Sequence, residues 1–258
     1  MRVTAKVVGR INIPKDSCVV LDHVQVRGED YSCRKLMQFC TIGSRLEDCC
    51  FDKTEIMHAQ FGSGREMSEF IGCSFNSARM TSGGGHTRFV RCSFRDVDLR
   101  NWVFCQSTEL VDCVFSGRLR KAIFFGTIPI AEERAFLGRE RNEFHGNDFS
   151  AMKLFDVDFR GGIDLSQQVM PTGPEYLYLA DAATTVERAR NGLRDWQKGH
   201  ELQRVALIIV SGLERMVREG QRQLFLRRDD YYSLSDSLPR DAIDKVFSLL
   251  RGGSDADG

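Results

Sequence analysis

The 258-residue sequence predicts a mainly β chain that turns a corner every few residues, followed by a small α-helical domain. Three observations predict this. Large apolar residues recur every five positions between about residues 36 and 165; a small residue sits two places before nearly every one; and beyond Thr184 the apolar spacing becomes helical. Composition agrees, with 18 Phe against 5 Tyr and 2 Trp, and with 23 Gly and 9 Cys.

Residues 1–35 come first and show strand-like alternation, as in Arg10-Ile11-Asn12-Ile13 and His23-Val24-Gln25-Val26-Arg27. They read as a β cap or as degenerate first coils. Nothing in Met1–Arg10 resembles the apolar core of a signal peptide, and Val205–Val210 is the longest strongly apolar run, too short for a bilayer. The expected location is the cytoplasm, with no membrane partner. There nine cysteines, an odd number, do not read as a disulfide framework.

The grid follows. Its centres are Leu46, Phe51, Ile56 and Phe61; Phe70, Phe75 and Met80; Phe89, Phe94, Leu99 and Phe104; Leu110 and Phe115; Phe124; then Phe144, Phe149, Leu154 and Phe159. Twelve of the 18 Phe lie on it, so the Phe excess has a structural cause. A period of five fits neither the 3.6 of a helix nor the 2.0 of a strand, and therefore needs a regularly bending chain. Fourteen of the 18 residues two before a centre are small or β-branched, Trp102, Asn142, Asn147 and Met152 being the departures. Cys49, Cys73, Cys92 and Cys113 hold this small position, where a buried Cys acts as a small hydrophobe. Cys33, Cys40, Cys49 and Cys50 form the nearest thing to a metal-ligand cluster, at a spacing that matches no standard site.

The grid breaks at Gly62-Ser63-Gly64-Arg65, at Ser82-Gly83-Gly84-Gly85-His86, at Cys105-Gln106-Ser107 and over the insertion 126–141. With Leu119 taken as a further centre, the breaks recur at about one coil's length and are expected to line up along one edge. Within the insertion, Ala131–Leu137 reads as a short helix projecting from the wall. The candidate partner-binding edge therefore comprises Gly62, Gly64, Arg65, Gly83, Gly84, Gly85, His86, Glu132, Glu133, Arg134 and Phe136. Surface loops also tolerate irregularity without function, and both readings stand at this point.

Beyond the grid, residues 166–183, with Met170-Pro171-Thr172-Gly173-Pro174, read as a linker. A helical module is expected over 184–251. Thr184 and Glu187 form a capping box that opens a helix to about Lys198. A second helix is expected over about 201–219, and a third to Leu250 with Pro239 at its first position after Ser237 or Leu238. The module either caps the solenoid or dimerises it. Residues 252–258 read as a disordered tail.

Runs such as Cys73-Ser74-Phe75-Asn76-Ser77-Ala78-Arg79-Met80 and Cys92-Ser93-Phe94-Arg95-Asp96-Val97-Asp98-Leu99-Arg100 resemble the pentapeptide-repeat family over residues 36–165, about half the chain. The resemblance implies a right-handed four-sided β-solenoid with four pentapeptides per coil, the centre and its small companion both pointing inward. It also implies, as one function, protection of type II topoisomerases by mimicry of duplex DNA.

Charge bears on that. Lys plus Arg and Asp plus Glu both total 36, and both are balanced on either side of residue 182. This argues against direct nucleic-acid binding and equally against mimicry, which needs an acidic surface. Enzyme signatures are missing: Gly83-Gly84-Gly85 has no following Lys, and the five His are scattered. The sequence therefore points to a non-enzymatic protein-interaction or scaffold protein, without cofactor, whose partner is another protein and which is able to form a homodimer through the C-terminal helices. The alternatives are a topoisomerase-protecting protein and an enzyme or small-molecule site in those helices.

Overall fold

The structure, a computed structural model, describes residues 2–3, 17–194, 196, 199–233 and 239–252. It divides into two compact units, Met1–Asp158 with Ile163–Pro171, and Phe159–Gly162 with Thr172–Gly258. The motif Arg10–Ile13, residues Ser237 and Leu238, and the tail from 253 on lie outside the described residues.

The first unit is a solenoid of parallel strands in an eight-stranded and a six-stranded sheet. Each coil has four sides because each pentapeptide forms its own ladder. Leu46 pairs with Phe70, Cys50 bridges Ser74, Ile56 pairs with Met80, and Phe61 pairs with Thr41 of the preceding coil. Coiling already occurs at Ser17–Asp22 and Gln25–Arg27, which pair in register with Lys35–Ile42 and Arg45–Glu47.

Parallel register puts like residues above one another at the strand spacing, and the core is built on that fact. Tyr31, Phe51, Phe75, Phe94, Phe115 and Phe149 stack face to face at 4.6 to 4.8 Å. A second aromatic group meets the first edge-on through Phe61 and Phe89 and at a tilt through Phe70. The small companions fill the narrow columns. Cys49, Cys73, Cys92 and Cys113 are buried, and each thiol faces a backbone carbonyl of the neighbouring coil, Val26, Leu46, Phe70 and Phe89 respectively. Burial holds the Cys92 thiol well above its usual range. On the next coil Asn147 takes the same column and donates to the Leu110 carbonyl at 2.9 Å.

Seventeen of the 18 centres are buried; Phe104, at 64% exposed, is not. The register between neighbouring strands slips between Trp102 and Cys105, so that Cys105 rather than Phe104 opposes Phe124. One extra residue turns Phe104 outward, as a β-bulge does. Cys105, fully buried, is the true centre and stands in five-residue phase with Leu110. Trp102 fills the small column instead, and Gly83 on the adjacent coil makes room: a Cβ there would lie 2.2 Å from the Trp102 Cε2.

The second unit packs helices α2 (Ala182–Arg194), α3 (His200–Arg218), the short α4 (Arg228–Ser233) and α5 (Arg240–Arg251) around Val186, Leu193, Val210, Leu213, Ile243 and Phe247. It also holds an antiparallel strand pair, Tyr176–Leu179 with Leu224–Arg227, so it is not purely helical. The first of these strands falls in the stretch read as a linker. Helix α2 starts two residues before the expected capping box: Asp181 accepts from the Thr184 amide at 3.2 Å and takes the capping role. Pro239 sits at the N-cap of α5, one position outside the helix. No helix among the described residues is long and apolar enough to cross a membrane.

Candidate functional site

The grid breaks stack on successive coils. The His86 amide donates to the Gly62 carbonyl at 2.9 Å, the Gly85 amide to the Phe104 carbonyl at 2.9 Å, and the Asn142 side-chain amide to the Gln106 carbonyl at 2.8 Å. Breaks in sequence thus become one line in space. Most of the glycines, however, are enclosed between coils. Gly62, Gly83 and Gly84 are buried, and Gly85 is partly so. Gly62 has φ +100°, and a Cβ there would lie 2.1 Å from the His86 carbonyl oxygen, so only glycine lets these coils approach. On that line Gly62, Gly83, Gly84 and Gly85 pack coil against coil.

His86 is likewise buried, at 7% exposed, with its Nδ1 unpartnered. Burial first, and then the Arg139 charge, push its pKa down to about 4. As pH falls through 6.5 the unfolded chain takes up a proton that the folded chain refuses, so stability is lost between about pH 6.5 and 4. His86→Gln is expected to flatten this dependence in urea midpoints measured over that range.

What remains exposed is Gly64, Arg65, Glu132 and Phe136, with Glu133 and Arg134 partly so. The fold joins two of them across 71 residues of sequence: the Arg65 guanidinium lies over the Phe136 ring at 5.7 Å. Phe136 belongs to α1 (Ala131–Leu137), which has the predicted bounds and buries none of its own residues. Gly138, in the left-handed conformation, ends it. Arg134 donates to the Ile128 carbonyl at 2.6 Å, and Ile130 and Phe136 are each about half exposed.

An ion network holds this insertion to the wall. Arg139 pairs with Glu109, which is 4% exposed, and also donates to the Ser107 carbonyl at 2.7 Å. Arg88 lies 3.4 Å from Glu109 and 2.6 Å from Glu143. Burial raises the Glu109 pKa against the pull of Arg139, and burial lowers that of Arg139. Sequence reasoning missed these residues because nothing periodic links an acid on one coil to a base 30 residues later; only the fold closes that loop.

Outside this edge the two sheet faces differ in charge. Along the six-stranded sheet Arg45, Glu69, Arg88 and Glu109 alternate in register, and Arg45 pairs with Glu69 at 2.5 Å. Among the described residues no group of three or more His, Cys, Asp or Glu is placed to hold a metal ion.

A five-residue grid whose members stack into four ladders makes this chain a parallel β-solenoid, the architecture that its resemblance to pentapeptide-repeat proteins implies. No family model matches the sequence, and no curated protein does. Two solved structures of trypsin-treated QnrB1, a plasmid-mediated fluoroquinolone resistance protein, are similar. One is 14% identical with a TM-score of 0.32, covering 62% of this chain and 85% of that chain. The other is 14% identical with a TM-score of 0.20, covering 61% and 80%.

Proposed function

We propose that this is a non-enzymatic, cytoplasmic protein-binding solenoid that captures another protein along the edge formed by Arg65, α1 and the residues flanking it. The observation that carries this reading is α1 itself. It buries none of its residues and displays Ile130 and Phe136, yet a buried ion pair and the Arg65–Phe136 contact fix it in place. An apolar display held in place in this way suits a protein partner. Nine free thiols suit a reducing compartment.

The topoisomerase-protecting reading carries less weight in its DNA-mimicking form, because the charge row on the six-stranded sheet is internally compensated rather than acidic. Against an enzyme site in the second unit, the cleft on α3 lined by His200, Gln203, Arg204, Leu207, Ile208 and Ser211 brings little convergent polar chemistry together, and a second cleft lies between α2 and α3, lined by Ala183, Val186, Glu187, Glu214, Val217 and Arg218.

The test replaces Ile130 and Phe136 by Ser together and leaves Arg139 in place. In a gyrase supercoiling assay with a fluoroquinolone, protection by the wild type and its loss in the double variant, at unchanged circular dichroism, is the outcome expected of a topoisomerase partner. Equal protection by both chains overturns the edge. If the wild type has no effect, a topoisomerase is excluded, and affinity capture with the intact chain against the same variant reads the edge.

A further inference from the structure

The outer face of the eight-stranded sheet differs from that of the six-stranded sheet in a way that folding alone does not reward. Inward-pointing Met80, Leu99 and Leu119 define one ladder, and the residues on either side of them face out. In one outward row Lys35, Glu55, Arg79, Asp98 and Arg118 alternate in register, as the charges of the six-stranded sheet do. In the next, Arg100 stands directly opposite Arg120. Like charges facing each other across strands destabilise a sheet, and the six-stranded sheet avoids this by alternation. Here Arg79, Arg100, Arg118 and Arg120, on three adjacent strands, outnumber the two carboxylates in register with them, Glu55 and Asp98. Asp98 accepts from Arg100 at 2.6 Å, and its carboxyl is held below the usual range by that bond first and also by the Arg120 and Arg118 charges. Among the described residues Arg79 and Arg118 make no ion pair.

The same outward row becomes apolar at its other end. Met37 and Met57, 49% and 61% exposed, are neighbours between the registered pairs Leu36–Ile56 and Gln38–His58. A shallow hollow lined by Glu55, Met57, Arg79, Thr81, Asp98 and Arg100 connects the two ends. Methionine offers an adaptable apolar contact and arginine a bidentate grip on carboxylates.

We propose that this face docks a segment of a partner protein that carries carboxylates at one end and apolar side chains at the other. Charge complementarity selects an acidic occupant. A protein segment is favoured over single-stranded nucleic acid because the face offers no open aromatic platform for bases: Phe155 lies under Arg120 at 5.8 Å. The site is separate from the α1 edge and does not rest on it.

The probe is a fluorescent peptide of alternating Glu and Leu blocks, followed by anisotropy at low and at moderate salt. Arg100→Gln, Arg118→Gln and Arg120→Gln combined are expected to weaken binding by about tenfold or more and to reduce its salt dependence. Met57→Ser is expected to weaken it at all salt concentrations, while Arg27→Gln on the other sheet and the Ile130/Phe136 double variant leave it unchanged. Should the triple variant lose its fold, Arg118→Glu alone reads the same interaction. Unaltered binding by the Arg variants, or tighter binding of oligo-deoxythymidine or of phosphatidylserine vesicles than of the peptide, overturns the proposal.

Discussion

Phe94→Ala is expected to cost about 3–5 kcal/mol, while Phe104→Ala, at another position of the same sequence grid, stays within about 0.5 kcal/mol of wild type. Phe94 is fully buried, stacked on Phe75 at 4.7 Å and on Phe115 at 4.8 Å, with Phe89 and Trp102 against its edges. Removing it leaves a ring-sized void between two coils, and each coil is held chiefly by its neighbours, so the loss is not spread over the core. Phe104 projects from a bulge and leaves no void. Urea unfolding followed by circular dichroism separates the two. A similar cost for both would mean that the register slip at Trp102–Cys105 is absent in solution.

Breaking the Arg139–Glu109 pair is the second large effect. Arg139→Ala leaves a 4%-exposed carboxylate with only Arg88, 3.4 Å away, and is expected to cost about 3 kcal/mol. Replacing both partners together, Glu109→Leu with Arg139→Met, is expected to recover most of that loss, because no charge is then left buried. The pH dependence has a definite sign. The folded-state pKa of Glu109 lies above its unfolded value, so as pH falls the folded chain takes up that proton first. The contribution of Glu109 to stability therefore increases as pH drops through its raised value, opposite to that of His86. Midpoints of wild type and of the Glu109→Leu/Arg139→Met variant, compared across the acid range, read this sign; parallel curves would show that Glu109 does not titrate as its burial requires.

Most of the solenoid was legible because five-residue periodicity is a local signal. Each centre has to point inward whatever its neighbours are, so Leu46, Phe75 and Leu99 were placed by spacing alone. The small companions followed for the same reason, since a narrow column admits only Cys, Ser, Thr, Ala or Val at most of its rungs. The α1 helix was legible from Ala131–Leu137 itself. Phe104 was not, because a bulge depends on how one strand meets the next. Gly83 read as a loop residue because its cause, the Trp102 indole, sits on the next coil. The α2 start was missed by two residues because Asp181 competes with Thr184 for the same capping role, and the strand pair of the second unit was missed because its halves lie far apart in sequence.

The candidate edge divides in the same way. Its alignment followed from the spacing of the breaks, and Arg65 and Phe136 were named before anything brought them together. Which members face outward was decided only in three dimensions, where Gly62, Gly83, Gly84 and His86 turned inward to let coils touch. The sequence by itself determined the inward grid, and hence the coil, because burying a large apolar ring every fifth residue leaves the backbone little other choice. Only the tertiary structure decided where charges and exceptions fall. A net charge of zero in the sequence becomes an alternating, compensated row on one sheet and a cluster of arginines on the other, because parallel register sets the partner of each side chain about twenty residues away rather than beside it in the chain.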